Sequence, residues 1–195
     1  MVLTFYSLVS ALSVLSSLSK LRAMPETPFP PPSPEAGNET GWFTAHCDGG
    51  SRGNPGPAAY GAVIEDPGRQ VVARLSEYLG RQTNNYAEYQ GLLAVLAWAN
   101  EHGIRRFQVV SDSELMVRQM SGQYKVSSPT LRPLWEEARR RAARLDSFRM
   151  RHTLRAGNQE ADRLANEAMD RGRDRSHGTQ TGPALKKSPS GLTRL

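Results

Sequence analysis

The sequence predicts an α/β domain: a mixed five-stranded sheet, three antiparallel strands followed by two parallel ones, flanked by helices. Three observations carry this reading. Short apolar runs joined by Gly/Pro turns come first, a long segment with an apolar stripe reads as a helix, and two more apolar runs each lie beyond a helical segment. Strands joined by tight turns pair antiparallel, whereas a strand reached through a helix enters as a parallel neighbour.

Residues 43–48 read as the first strand, ending on Asp48, with 49–57 a turn-rich Gly/Pro loop. Residues 59–64 form the second strand, Asp66-Pro67-Gly68 a turn, and 71–79 the third strand. Thr83 or Asn84 can cap the next segment, helical through about Asn100 and stopped by Gly103. Residues 106–111 are the fourth strand, 113–120 a helix and 122–129 a loop. A longer helix over 131–145 offers Glu136–Arg140 and Glu137–Arg141 as i,i+4 pairs. Residues 148–152 complete the sheet, and 159–171 form the last helix. No internal repeat is visible.

The 195 residues exceed the ~100–150 of a common domain, and the surplus lies at the ends. Residues 1–40 are apolar and serine-rich, then proline-rich; 41–171 carry the periodic patterns of the folded domain; 172–195 read as a basic, disordered tail. Within 2–18 the chain is apolar enough for a signal-peptide core or a short anchor. No basic residue precedes that run, and serines interrupt it. Translation from Met24 is the preferred alternative. A net charge of +6 suits a polyanionic partner without establishing one. The single cysteine, Cys47, excludes an internal disulfide and a thiolate metal cluster, and fits a cytoplasmic location.

Four carboxylates stand where a surface charge is out of place. Asp48 and Asp112 close apolar strands, Glu88 falls in register with Leu92, Val95 and Ala99, and Asp162 shares a helix face with Ala165 and Met169. Carboxylates gathered in a low-dielectric pocket repel one another and need a cation, and oxygen ligands select a hard divalent one.

The blocks Asp48-Gly-Gly-Ser-Arg-Gly-Asn-Pro-Gly-Pro, Thr83-Asn-Asn-Tyr-Ala-Glu88, Val110-Ser-Asp112-Ser and Asn158-Gln-Glu-Ala-Asp162-Arg-Leu-Ala, in that order, resemble type 1 ribonuclease H. The resemblance covers roughly residues 43–169. It implies a ribonuclease H-like fold and an endonuclease that hydrolyses the RNA strand of an RNA–DNA hybrid, leaving 5′-phosphate and 3′-hydroxyl ends. Asp48, Glu88, Asp112 and Asp162 match the family's metal-binding carboxylates, which hold two Mg²⁺ ions, with Mn²⁺ a possible substitute. Asp48 is expected to bridge the ions and Glu88 to lie nearest the RNA sugar. The resemblance assigns Asn54, Asn84 and Asn85 to the minor groove of the hybrid, where 2′-hydroxyls distinguish RNA from DNA. It assigns Arg81 and Thr83 to a phosphate of the DNA strand. On local grounds alone, Asn84 and Asn85 are equally a helix cap.

Family members often carry a loop histidine about ten residues before the last aspartate. His152 has that count but ends a strand, and Arg155 is the alternative basic group. The basic helix and loop that some members insert after the Asp112 region is absent, because 122–129 lead directly into the arginine-rich helix. Expected partners are an RNA–DNA hybrid, with double-stranded RNA as a second candidate, and the chain is expected to act as a monomer. Competing readings are a non-catalytic hybrid-binding module, a secreted or tethered protein, and a transposase- or resolvase-like nuclease. The intact acid set disfavours the first and the asparagines disfavour the last.

Overall fold

The computed structural model describes residues 41–178, with side chains up to Arg173. The extension over 1–40, Met24 included, and the tail beyond 178 lie outside the described residues. The elements are β1 (Phe43–Ser51), β2 (Gly56–Glu65), β3 (Val71–Gln82), α1 (Asn84–Glu101), β4 (Arg106–Ser111), α2 (Glu114–Met120), α3 (Arg132–Ala142), β5 (Ser147–His152), a 3-10 turn (Arg155–Gly157) and α4 (Gln159–Gly178).

The sheet order is β3-β2-β1-β4-β5. β1 and β2 pair antiparallel, as do β2 and β3; β1–β4 and β4–β5 are parallel. The expected mixed sheet is therefore present. β4 is buried from Phe107 to Ser111, as a strand covered on both faces must be.

Successive strand residues face opposite sides of a sheet, and β1 shows which helix covers which. A Cβ on Gly49 would meet the α1 backbone, whereas one on Gly50 would meet Met169 of α4. α1 and α4 thus cover opposite faces. On the α1 face, Ala45, Cys47, Ala62 and Ile64 pack with Tyr89, Leu92, Val95 and Leu96 in the main core. Full burial of each Leu or Val there stabilises by about 1.5–3 kcal/mol. α1 is apolar around most of its circumference because α3 covers its outer side, burying Ala138 and Ala142. α4 lies over β2 and β3, with Ala59, Ala168 and Met169 forming a smaller cluster beneath it.

Several expectations need correction. β1 does not stop at Asp48: Gly49, Gly50 and Ser51 pair with Tyr60, Ala59 and Ala58. The turn is correspondingly short, and Asp48 is a mid-strand residue. The glycines read as a loop because isolated glycine weakens a strand, yet here Gly49 is needed for close packing. α3 is shorter than 131–145. Glu136 pairs with Arg132 instead of Arg140, while Arg140 and Arg141 both engage Glu137. α4 continues past Arg171 to Gly178, so the expected tail boundary falls inside the helix. Among the described residues, no helix is long and apolar enough to cross a membrane.

Two glycines set the helix positions. An added Cβ would lie 2.1 Å from the Glu88 amide nitrogen at Gly49, and 2.2 Å from the Ala161 carbonyl at Gly61. These are backbone atoms of α1 and α4, so neither obstacle can rotate away. Gly49→Ala and Gly61→Ala are each expected to cost on the order of 3 kcal/mol in urea denaturation. A loss below ~1 kcal/mol would show that the helices sit less tightly than this.

Candidate active site

The β1–β4 register aligns His46 with Val110; carried two residues further, it brings Asp112 level with Asp48. The alternation along β1 turns Asp48 toward the α4 side, away from buried Cys47. Close approach at Gly49 lets α1 deliver Glu88 to the same end of the sheet, and the Gly61 contact seats α4 so that Asp162 faces it. All four acids line one cleft of about 310 Å³, with Asn84, Arg52, Arg155 and Asn166 also in its wall.

Burial raises the proton affinity of the deeper acids. Asp48 is held well above the usual carboxylate range, first by burial and then by repulsion from Asp112 and Asp162, although the Gly49 backbone amide opposes this. Burial likewise moves Glu88 up to about 7, against the Ser113 hydrogen bond.

Most of the acids have a donor partner on the protein. Asn84 Nδ2 donates to Glu88 Oε1 at 2.9 Å and Ser113 Oγ to Glu88 Oε2 at 2.5 Å. Ser113 also caps α2 by accepting from the Met116 amide. Asn158 Nδ2 donates to the Cys47 carbonyl at 2.9 Å and to Asp112 Oδ1 at 3.1 Å, which ties β1 to the end of β4. The Asn158 carbonyl accepts from the Asp162 amide, so the same residue also anchors the start of α4. Its own Oδ1 is buried with no hydrogen-bond donor among the described residues. The two acceptors therefore decide which way the amide points. Asp162 is paired with Arg155 at 2.9 Å.

The donor set fits a hard divalent cation: carboxylate oxygens surrounded by neutral amides and a hydroxyl, with the Cys47 thiol facing away. It is not a closed cage. Among the described residues, no group of three His, Cys, Asp or Glu is arranged to hold an ion unaided. Mg²⁺ binding suits such an open set, since that ion keeps several waters and takes phosphate oxygens alongside one or two carboxylates.

The other expected residues divide. Asn54 and Asn84 come together, with the Asn84 amide donating to Asn54 Oδ1 at 3.2 Å. Asn85 is half-buried in the first turn of α1. Thr83 is the α1 cap, accepting from the Tyr86 amide, and Arg81 is exposed at the end of β3 opposite Pro57. His152 pairs with Ser111 at the sheet edge and does not line the cleft, whereas Arg155 does. Ser113 and Asn158 stand inside the family-like blocks, yet nothing in their local sequence marks them as partners of Glu88 and Asp112. Arg52 also lines the cleft from the β1–β2 turn.

A carboxyl whose proton affinity rises on folding adds stability below its unfolded value and loses it as pH climbs through the folded one. Glu88 thus favours the cation-free fold below about 4.5 and stops doing so near 7. Relative to Glu88→Gln, the unaltered protein in chelator should lose on the order of 2 kcal/mol between pH 5 and 8. Added Mg²⁺ should reverse that loss. A flat difference between the two proteins in thermal or urea unfolding would contradict the environment described for Glu88.

A family model described as reverse transcriptase-like matches residues 46–168. Over 125 residues the chain is 48% identical to the bifunctional protein Rv2228c of Mycobacterium tuberculosis, covering 64% of this chain and 34% of that protein. It thus spans about a third of that relative's length. The solved N-terminal RNase H domain of Rv2228c, fused to maltose-binding protein, superimposes with a TM-score of 0.67 at 43% identity, covering 69% of this chain and 98% of that one. Ribonuclease HI of Halobacterium salinarum is 41% identical over 126 residues, 65% of this chain and 63% of its own. LC11-RNase H1, solved in complex with an RNA/DNA hybrid, gives a TM-score of 0.64 at 38% identity, covering 67% of this chain and 99% of that one. With a family match over more than half its length and these relatives, the chain belongs to the type 1 ribonuclease H family.

Proposed function

We propose that this chain is an endoribonuclease that hydrolyses the RNA strand of RNA–DNA hybrids at the four-carboxylate cleft, leaving 5′-phosphate and 3′-hydroxyl ends. The single observation that carries the reading is the convergence of Asp48, Glu88, Asp112 and Asp162 from four separate elements on one cleft beside Asn54 and Asn84. The hybrid held by LC11-RNase H1 supports the substrate class.

Ribonucleases H are in general divalent-metal dependent. Here the four carboxylates would hold two such cations, Mg²⁺ or Mn²⁺, and the ions would supply an activated water and neutralise the leaving oxygen. Asp48, level with Asp112 and on the Asp162 side of the sheet, would be the central ligand of the set. Asn84 and Ser113 fix both oxygens of Glu88 and so orient it. Asn158 orients Asp112. Asn54, Asn84 and Asn85 address the sugar edge of the hybrid, and Thr83 and Arg81 its DNA backbone. These contacts reach sugar and phosphate, so little base specificity follows.

Arg155 is assigned the basic role that family members often give to a loop histidine, because it lies in the cleft wall on Asp162. His152 lies outside that wall. Arg155→Ala is expected to lower kcat on the order of 10²-fold, and His152→Ala to change it little; the reverse order would return the role to His152.

End-labelled hybrid, duplex DNA, duplex RNA and single strands, each with Mg²⁺, Mn²⁺ or chelator, test the whole reading. Metal-dependent cutting of the RNA strand of the hybrid is expected, and Asp48→Asn should abolish it without unfolding the protein. Cutting that survives this substitution would refute the site. Binding of hybrid without any metal-stimulated cutting would make the chain a binding module instead.

A further inference from the structure

An acidic cleft that must admit a phosphodiester needs cations at its rim, and its wall contains two. Arg155 has its place in the reading above. Arg52 has none, and its setting is unusual for a surface arginine.

Its backbone is fixed. The Arg52 amide donates to the Pro57 carbonyl at 2.8 Å, and a Cβ on Gly56 would lie 2.1 Å from the Arg52 carbonyl, so the turn wraps tightly around this residue. Its side chain crosses from the β1–β2 turn to α4, where Nη1 pairs with Asp170 Oδ1 at 2.5 Å. The same turn presents Asn54, two residues on, to the Asn84 amide. Arg52 therefore shares a turn with Asn54 and a cleft wall with the four acids.

The pair itself is exposed, with Arg52 at 35% and Asp170 at 62% of full side-chain accessibility. Exposed pairs of this kind add little to folding, so stabilisation is a weak account of it. A guanidinium matches a phosphate's oxygens with a planar fork, and a charge-assisted bond to phosphate is stronger than a solvated surface pair.

We propose that Arg52 is a phosphate clamp for the strand entering the cleft, the RNA strand on the reading above. Asp170 is its place-holder, keeping the side chain aimed across the cleft until a phosphate displaces it. The inference rests on the proposed hybrid-cutting function and adds a contact to it.

The test is binding of a short labelled RNA–DNA hybrid in chelator, followed by anisotropy over a NaCl series. Arg52→Ala should weaken binding about tenfold and reduce the slope of log K against log salt by about one. Arg52→Lys should keep the slope. Asp170→Asn should move affinity the opposite way, tightening it by about two- to fivefold as the competing ion pair is lost. In the double variant Asp170→Asn should add nothing. An unchanged slope in Arg52→Ala overturns the proposal. So does weakening by Asp170→Asn in step with Arg52→Ala, the signature of a pair that only holds the turn to α4. If Arg52→Ala unfolds, the kept slope expected of Arg52→Lys and the tightening expected of Asp170→Asn still decide. A chain that cuts no hybrid at all fails the underlying reading; one that cuts normally with unmoved salt slopes fails only the clamp.

Discussion

Like charges held together are the constraint on which the rest of this molecule depends. Two carboxylates 4 Å apart repel by about 4 kcal/mol at the effective dielectric near a protein surface, and the cleft gathers four. Flexible loops would yield to such a force. The acids instead stand on β1, the end of β4 and two helices, and the helices are seated by backbone-to-backbone contact at Gly49 and Gly61. Dense packing elsewhere, in the core between α1 and the sheet, is what resists the local repulsion.

The partners of the acids follow a division by charge. Asn84 in the wall and Ser113 and Asn158 buried behind it are neutral donors to Glu88 and Asp112; the cations Arg52 and Arg155 engage the more exposed Asp170 and Asp162. A neutral donor can hold a carboxylate oxygen without cancelling its charge, so the electrostatic demand for a divalent ion survives. An arginine beside Asp48 would have met that demand permanently. The arrangement keeps Glu88 and Asp112 oriented without a cationic partner, while Asp162 carries Arg155.

The fold and the acids were legible in the sequence for physical reasons. β4 is a short run of apolar residues that a buried parallel strand requires, and Glu88 interrupts a stripe whose other members are buried. Gly49 and Gly50 misled because their sequence signal is that of a turn, and only the arrival of α1 against β1 explains why Gly49 stands in a strand. The same limit hid Ser113, Asn158 and Arg52. Serine, asparagine and arginine are ordinary at helix starts and turns, and their importance comes from what the fold brings to them: Glu88 from 25 residues away, Asp112 from 46, Asp170 from 118. Helix ends were read less well than strands, because α3 and α4 are rich in arginine and acid pairs that continue a helix with no periodic apolar signal.

Asn158 is also the point at which a single side-chain hydrolysis would add a charge to the site. Its amide is buried, donates to a carbonyl and a carboxylate, and has no chemical equivalent of the same size. Asparagine is among the thermolabile residues, and hydrolysis of this one amide would replace the donor with a fifth acid facing Asp112. No bond of the backbone would break and the mass would scarcely change, yet the set of charges would be altered from within. Such a change in a side chain beside the four acids would alter the cleft, and burial under the start of α4 limits the access of water to it.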